Sequence, residues 1–111
     1  MNKFPNLNKL NNHEVSVLVS QLYEVEVRPY ADNELIIREL IFNKKLFFKL
    51  ENGYEEDEKG QVSYFYMAQV GRNSHEYRYT LTISHNTSPA RALTEAMIMR
   101  FVQYVQHPEG I

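Results

Sequence analysis

Apolar residues near the N-terminus recur with the period of an α-helix. Four aliphatic side chains stand at positions i, i+3, i+4 and i+7 and so share one face: Val15, Leu18, Val19 and Leu22. Asn11 precedes them, and Glu14 follows it by three residues, which is the spacing of a capping box. The pattern predicts a first helix over residues 12–23. Residues 24–28 then alternate in polarity and suit a short strand or an extended connection.

The next apolar stretch fits two structures. A helix over residues 33–42, capped by Asp32 or Asn33, would group four aliphatic side chains on one stripe: Ile36, Ile37, Leu40 and Ile41. The same stretch is rich enough in β-branched residues to form a strand. We favour the helix because the charged residues then lie off the apolar stripe.

Three later segments alternate with the period of a β-strand. They cover residues 45–51, 61–70 and 75–84. In the last segment the alternation predicts that one set of side chains faces the core: Tyr77, Tyr79, Leu81 and Ile83. Glu76, Arg78, Thr80 and Thr82 are then expected to face solvent. Gly71–Ser74 predicts a four-residue turn, so the last two strands are expected to form an antiparallel hairpin.

An acidic segment lies between the first two predicted strands. Residues 51–60 are predicted to form a loop bracketed by glycines, with four consecutive carboxylates at Glu55, Glu56, Asp57 and Glu58. Like charges side by side are typical of a solvated loop, and these four are also candidate contacts for a partner. The frame of a calcium-binding loop is absent.

The last helix has the clearest start. Ser88 is a good N-cap and Pro89 suits the first helical position, which predicts a helix from 89 to about 106. Its apolar residues exceed what one face needs, so Ile98, Val102 and Val105 are candidate contacts for self-association, and a homodimer is expected. The positive charge of Arg91 lies near the positive end of the helix dipole. We therefore expect Arg91 to pair with an acidic side chain, either Glu95 or one in the acidic segment.

The order of elements predicts an α+β fold with a small, mostly antiparallel three-stranded sheet and three helices packed on it. A chain of 111 residues fits a single domain over 1–111. A net charge of −2 makes nucleic acid an unlikely partner. No cysteine is present, which excludes disulfides and Cys-ligated metals, and no pair of histidines has ligand spacing. No metal or cofactor is expected, and neither is membrane insertion, because no long apolar run occurs.

One short motif resembles a known group of proteins. The last helix opens with Asn86-Thr87-Ser88-Pro89-Ala90-Arg91-Ala92. This run is similar to the Asn-Pro-Leu-Arg-Ala motif that opens the closing helix of small bacteriophage proteins of the α-β-α sandwich type. Pro89, Arg91 and Ala92 match, whereas Ser88 and Ala90 differ and the tryptophan common in that family is absent. The resemblance implies a phage or prophage accessory protein and no particular reaction.

These observations favour a small cytoplasmic accessory protein that binds a macromolecule without catalysis. Its partner is expected to be a protein of unknown identity. An acidic inhibitor of a host nucleic-acid-handling or defence system is the first alternative. A small enzyme with a dispersed site is the second, although no nucleophile elbow or phosphate loop occurs. The abundant aromatic residues of the strands fit core packing first and a protein-binding face second.

Overall fold

The computed structural model describes residues 6–73, 76, 80–84 and 88–105, with the backbone alone for Tyr104 and Val105. These residues form an α+β fold of three helices and one antiparallel sheet. The helices are α1 (Asn12–Tyr23), α2 (Glu34–Asn43) and α3 (Pro89–Arg100). The strands are β1 (Phe47–Glu56), β2 (Val62–Gly71) and β3 (Thr82–Ser84).

The first helix has the predicted bounds because its capping signal is complete. The Asn11 side chain accepts a hydrogen bond from the Glu14 amide at 2.8 Å. The Glu14 carboxylate accepts one from the Asn11 amide at 2.9 Å. Two amides that the first turn leaves without helical partners are thereby satisfied. The helix ends at Glu24, which adopts a left-handed conformation with φ 55°.

The second apolar stretch is a helix and not a strand. The Asn33 side chain caps it by accepting a hydrogen bond from the Ile36 amide at 3.3 Å. Ile37, Leu40 and Ile41 are buried on one stripe. The opposite face exposes Leu35 and Phe42. Residues 25–29 form no strand, so the extended connection is what joins α1 to α2.

The acidic segment is mostly strand, which corrects the predicted loop over residues 51–60. β1 pairs with β2 without interruption from Phe47 opposite Gly71 to Glu56 opposite Val62, so Glu55 and Glu56 belong to β1. The turn is shorter and follows these two residues. The Asp57 carboxylate accepts the amides of Lys59 and Gln61, both at 2.8 Å. Gly60 supplies the positive φ of 79° that the turn requires.

The predicted register of the last strand is wrong by one residue. Thr80, Thr82 and Ser84 are buried, whereas Leu81 and Ile83 are exposed. The reason is hydrogen bonding: the Thr82 hydroxyl donates to the Ala92 carbonyl of α3 at 2.7 Å, so a polar side chain faces inward at no cost.

The antiparallel pairing predicted for the last two strands is confirmed, but the four-residue turn predicted over 71–74 is wrong as their connection. β3 is only three residues long and pairs Ala68 with Thr82, so residues 72–81 separate it from β2. Tyr77, Arg78 and Tyr79, whose faces were predicted, lie outside the described residues.

Helix α3 is the centre of the molecule. One side packs on β2 and β3, and α1 and α2 pack against its other side, so these helices cover one face of the sheet. Its residues from Ala92 to Ile98 are all buried. After Arg100 the chain continues as a π-helical turn over Phe101–Val105, close to the predicted end of the helix. Phe47 and Ile83 remain exposed on the opposite face of the sheet.

Candidate functional site: the exposed end of the β1–β2 hairpin

The first buried polar cluster lies around Arg91. Its guanidinium pairs with Glu95 at 2.5 Å and donates to the Asn12 side chain at 2.8 Å. It also donates to the carbonyls of Leu7 and Leu10 at 2.7 and 3.0 Å. The predicted partner Glu95 is confirmed, and the alternative partner in the acidic segment is not used. All these contacts tie α3 to the N-terminal turn and α1, which is a structural role.

The second polar cluster lies around Glu76. Its side chain is only 3% exposed and accepts hydrogen bonds from the side chains of Arg72 at 2.9 Å and Arg100 at 3.1 Å. Burial alone would raise the pKa of Glu76. The hydrogen bonds from the Arg72 amide and from both guanidinium groups outweigh burial and hold the pKa of Glu76 below its ordinary value. The group is therefore an ionised structural anchor.

A tyrosine adjoins this second cluster. Burial raises the pKa of Tyr23 to about 12, although Arg100 acts in the opposite direction. The Tyr23 hydroxyl donates to the Met97 carbonyl of α3 at 2.6 Å. A hydroxyl that is buried, neutral and engaged in this way holds α1 against α3 and has no proton to exchange at neutral pH.

One small hollow combines a histidine, a serine and a carboxylate. It encloses about 200 Å³ and includes His13, Ser16 and Asp32. The Ser16 hydroxyl is buried and accepts the Ala31 amide at 3.0 Å. Asp32 accepts the Asn12 side-chain amide at 2.8 Å. Among the described contacts His13 bonds to neither residue, so the nucleophile–base arrangement of a hydrolase is missing.

An open cleft of about 480 Å³ lies between the N-terminal turn, β3 and α3, and it includes Glu95 and Met99. Its one carboxylate is already paired with Arg91. Within the described part of the chain, no group of three His, Asp or Glu side chains is placed to hold a metal ion. No described helix has the length and apolar character needed to cross a membrane.

Exposed aromatic side chains also lie at the end of the β1–β2 hairpin, residues 52–64, which we call the hairpin end. The sheet face that α3 covers buries Ala68 and Val70 of β2. Further along the same face, Tyr54 is 64% exposed and its cross-strand partner Tyr64 is 59% exposed. The face that packs at one end of the hairpin is therefore uncovered at the other.

The hairpin end is held in one conformation. On the other face of the sheet, the Phe65 ring lies over Gly53 so closely that a Cβ at Gly53 would come within 2.8 Å of the ring. A larger residue at position 53 would have to displace the Phe65 ring from this close approach. The Asp57 carboxylate fixes the turn through two backbone amides. The exposed tyrosines are consequently presented on a regular, paired structure.

The structure separates the four predicted acidic contacts. Alternation along β1 puts Glu55 and Glu56 on opposite faces of the sheet, while Asp57 and Glu58 occupy the turn. All four are exposed. Sequence reasoning missed Tyr54, which fell inside the supposed loop, and it expected the tyrosines to pack. Their spacing fixes the face they share, but no local signal tells where the covering helix stops.

The three predicted oligomer contacts differ in how far the structure buries them. Ile98 is fully buried between α3 and its neighbours, so it cannot contact a second copy without unfolding the helix layer. This corrects the assignment of Ile98. Val102 is half-buried in the π-helical turn, and the Val105 side chain lies outside the described residues.

No family model, curated protein or solved structure matches this chain. The resemblance to small phage proteins therefore stays a prediction. In this structure the motif residues have local structural roles: the Ser88 hydroxyl accepts the Arg91 amide at 3.1 Å, and Pro89 occupies the first helical position.

Proposed function

We propose that this chain is a small accessory protein, of phage or prophage type and cytoplasmic, that acts by binding another protein through the hairpin end. One observation carries the proposal: Tyr54 and Tyr64 pair across the hairpin and remain mostly exposed. Tyrosine is enriched in protein interfaces because it supplies a large contact area with few rotatable bonds and a polar tip.

The charges around these tyrosines define the chemistry of the partner. Glu56 lies two residues beyond Tyr54 on the same face of the sheet, and the exposed Glu58 follows in the turn. Exposed apolar area with a rim of one charge is typical of a site for a surface of opposite charge. The partner is therefore a protein with a basic patch next to an apolar contact. An acidic inhibitor of a nucleic-acid-handling protein is the special case in which that basic patch also binds phosphate.

A photo-crosslinker in place of Tyr64 tests the proposal in an extract of the source cell. We expect it to capture one discrete protein, with a yield that falls as salt rises because charges contribute to the contact. The same crosslinker at Leu35, which is 75% exposed on α2, is the matched control and should capture nothing comparable. Competition by added DNA would identify the inhibitor form. Equal capture at both positions, or capture at Leu35 alone, contradicts the proposal.

A further inference from the structure

β1 has one side of its backbone without a strand partner. It lies at the edge of the sheet, with β2 on its other side. The Asp57 amide donates across the hairpin to the Gln61 carbonyl at 2.9 Å. The backbone amide and carbonyl of successive strand residues point to opposite sides of the strand. Because those of Asp57 point toward β2, those of the even-numbered residues of β1 point toward the free edge. They are Phe48, Leu50, Asn52, Tyr54 and Glu56.

A contact elsewhere in the sheet agrees with this alternation. On β2, odd-numbered residues face β1 and even-numbered residues face β3. The Val70 amide indeed donates to the Thr80 hydroxyl on the β3 side at 3.1 Å. The direction of the free groups on β1 is therefore fixed by two independent hydrogen bonds.

In the ranges that the structure describes, the edge of β1 lacks most of the features that normally prevent strand addition. Native edge strands are kept from pairing by shortness, proline, bulges, covering segments or charged side chains, and of these β1 carries only the charges, Lys49 among them. β1 runs for 10 residues without proline, and its register with β2 is unbroken over the whole length. Among the described residues no other strand pairs with this edge. The edge is a template for another strand.

The charges along β1 indicate which strand that is. Lys44 and Lys45 precede it, and Lys49 lies in its first half, where it pairs with Glu51 of the same strand at 3.1 Å. Glu55 and Glu56 end it, with Asp57 and Glu58 in the turn beyond. A strand with a basic beginning and an acidic end is complementary to itself when it is reversed. The occupant with matching charge is a second copy of this chain.

We propose that two copies pair antiparallel through β1 about a two-fold axis at Asn52. This register places Lys49 opposite the partner's Glu55, twice by symmetry. It also places Leu50 opposite the partner's Tyr54, which covers part of a side chain that is 64% exposed. Opposite charges and aromatic–aliphatic pairs are the cross-strand contacts that stabilise antiparallel sheets.

Neighbouring registers are less favourable. An axis at Glu51 sets that carboxylate against itself, and an axis at Gly53 sets Glu51 against Glu55. An axis at Lys49 opposes two ammonium groups. An axis at Leu50 avoids like charges, but it pairs fewer residues of β1 and leaves Tyr54 uncovered.

A second charge pair forms on the helical face of the joined sheet. The Arg38 guanidinium lies 5.0 Å from the centre of the Phe48 ring. In the proposed register Phe48 is opposite the partner's Glu56, so that carboxylate meets Arg38. Asp57, Glu58 and Tyr64 lie beyond or behind the paired segment. The dimer goes beyond the proposed function: it leaves these three residues available to another protein, whereas Tyr54, Glu55 and Glu56 of the hairpin end contact the second copy.

Charge reversal tests the dimer, with mass measured by light scattering after size exclusion. The wild-type chain should run at twice its monomer mass. Lys49→Glu and Glu55→Lys should each raise the dissociation constant about tenfold or more, because each creates two like-charged pairs. The double variant Lys49→Glu/Glu55→Lys should restore dimerisation. Both positions of this cycle, 49 and 55, are exposed, so circular dichroism should show unchanged folds. A wild-type monomer at high concentration, or a dimer that the single variants do not weaken, overturns the proposal.

Cysteine cross-linking tests the register, because the natural chain has no cysteine. Asn52→Cys lies on the axis and should form a disulfide-linked dimer under mild oxidation. Glu56→Cys is the control: its two copies lie far apart along the strands and should stay unlinked. Cross-linking of Leu50→Cys instead, or disruption of the dimer by Val102→Glu, would place the interface elsewhere and contradict the proposal. Capture by the Tyr64 crosslinker is a separate readout, so a monomeric chain that still captures a partner would leave the proposed function intact.

Discussion

One face of the sheet has two different surroundings. Near the start of β1 and the end of β2 it lies under α3, where Ala68 and Val70 are fully buried. At the hairpin end the same face carries Tyr54 and Tyr64 in solvent. The pattern of side chains is that of a strand in both places. The difference comes from the reach of one helix, which divides the sheet into a packed region and a contact region.

The polar side chains of the packed region and of the hairpin end also differ in burial and pairing. In the packed region Glu76 and Glu95 are buried, the Arg91 side chain is only 11% exposed, and each is paired. Among the described residues no buried side-chain nitrogen or oxygen lacks a hydrogen-bond partner. At the hairpin end the carboxylates are exposed, where single ion pairs contribute little to stability. Stability is therefore expected to reside in the packed region and binding in the hairpin end.

The largest effect is expected from a charge placed on the packed face. Thr80 is fully buried, so Thr80→Asp puts a carboxylate without a counter-ion into the core and should abolish folding. Leu81 is adjacent but 46% exposed, and Leu81→Asp should be tolerated. Circular dichroism and urea unfolding distinguish the two. The opposite ranking would mean that the register of this segment is the one the sequence pattern predicted.

The next effect concerns the Arg91 cluster. Arg91→Met leaves Glu95 buried without its counter-charge and removes the bonds to Leu7 and Leu10. The free energy of unfolding should fall by about 3–5 kcal/mol. Arg28→Met is the matched control. Arg28 is far more exposed than Arg91, and its ion pair with Glu39 is longer, at 3.8 Å. Equal losses in the two variants would show that Arg91 does not hold the N-terminal turn.

A smaller, pH-dependent effect is expected at Glu76. Its folded pKa lies below the ordinary value of 4.5, so its ionised form stabilises the fold above that pH. This contribution is lost as the pH falls through the folded pKa. Urea midpoints from pH 7 to pH 3 should show wild type losing its advantage over Glu76→Gln at the acidic end. A constant difference across the range contradicts the ion-pair assignment.

The sequence predicted those elements whose signals are local. α1 begins at Asn12 because Asn11 and Glu14 satisfy each other's backbone amides within one turn. α3 begins at Pro89 because the Ser88 hydroxyl accepts the Arg91 amide and proline at the first helical position has no N–H to satisfy. These interactions need no knowledge of the rest of the chain, and both helix starts are confirmed.

The errors fall where distant contacts decide the outcome. Thr82 faces inward because its hydroxyl reaches the Ala92 carbonyl in another element, which no strand pattern reveals. Glu55 and Glu56 are in a strand because β2 offers an unbroken row of partners. Of the candidate site, the acidic residues were found from their spacing in the sequence. The exposure of Tyr54 and Tyr64 depends on where α3 ends in space, which the sequence pattern does not encode.

The free energy of unfolding of the double variant Tyr54→Ser/Tyr64→Ser tests the division between packing and contact most directly. Both rings are mostly exposed, so only their cross-strand contact should be lost. We expect urea unfolding to show a decrease of about 1 kcal/mol or less. A decrease of about 3 kcal/mol or more, typical of truncating core aromatic residues, would show that these tyrosines stabilise the fold and would contradict their assignment to a contact surface.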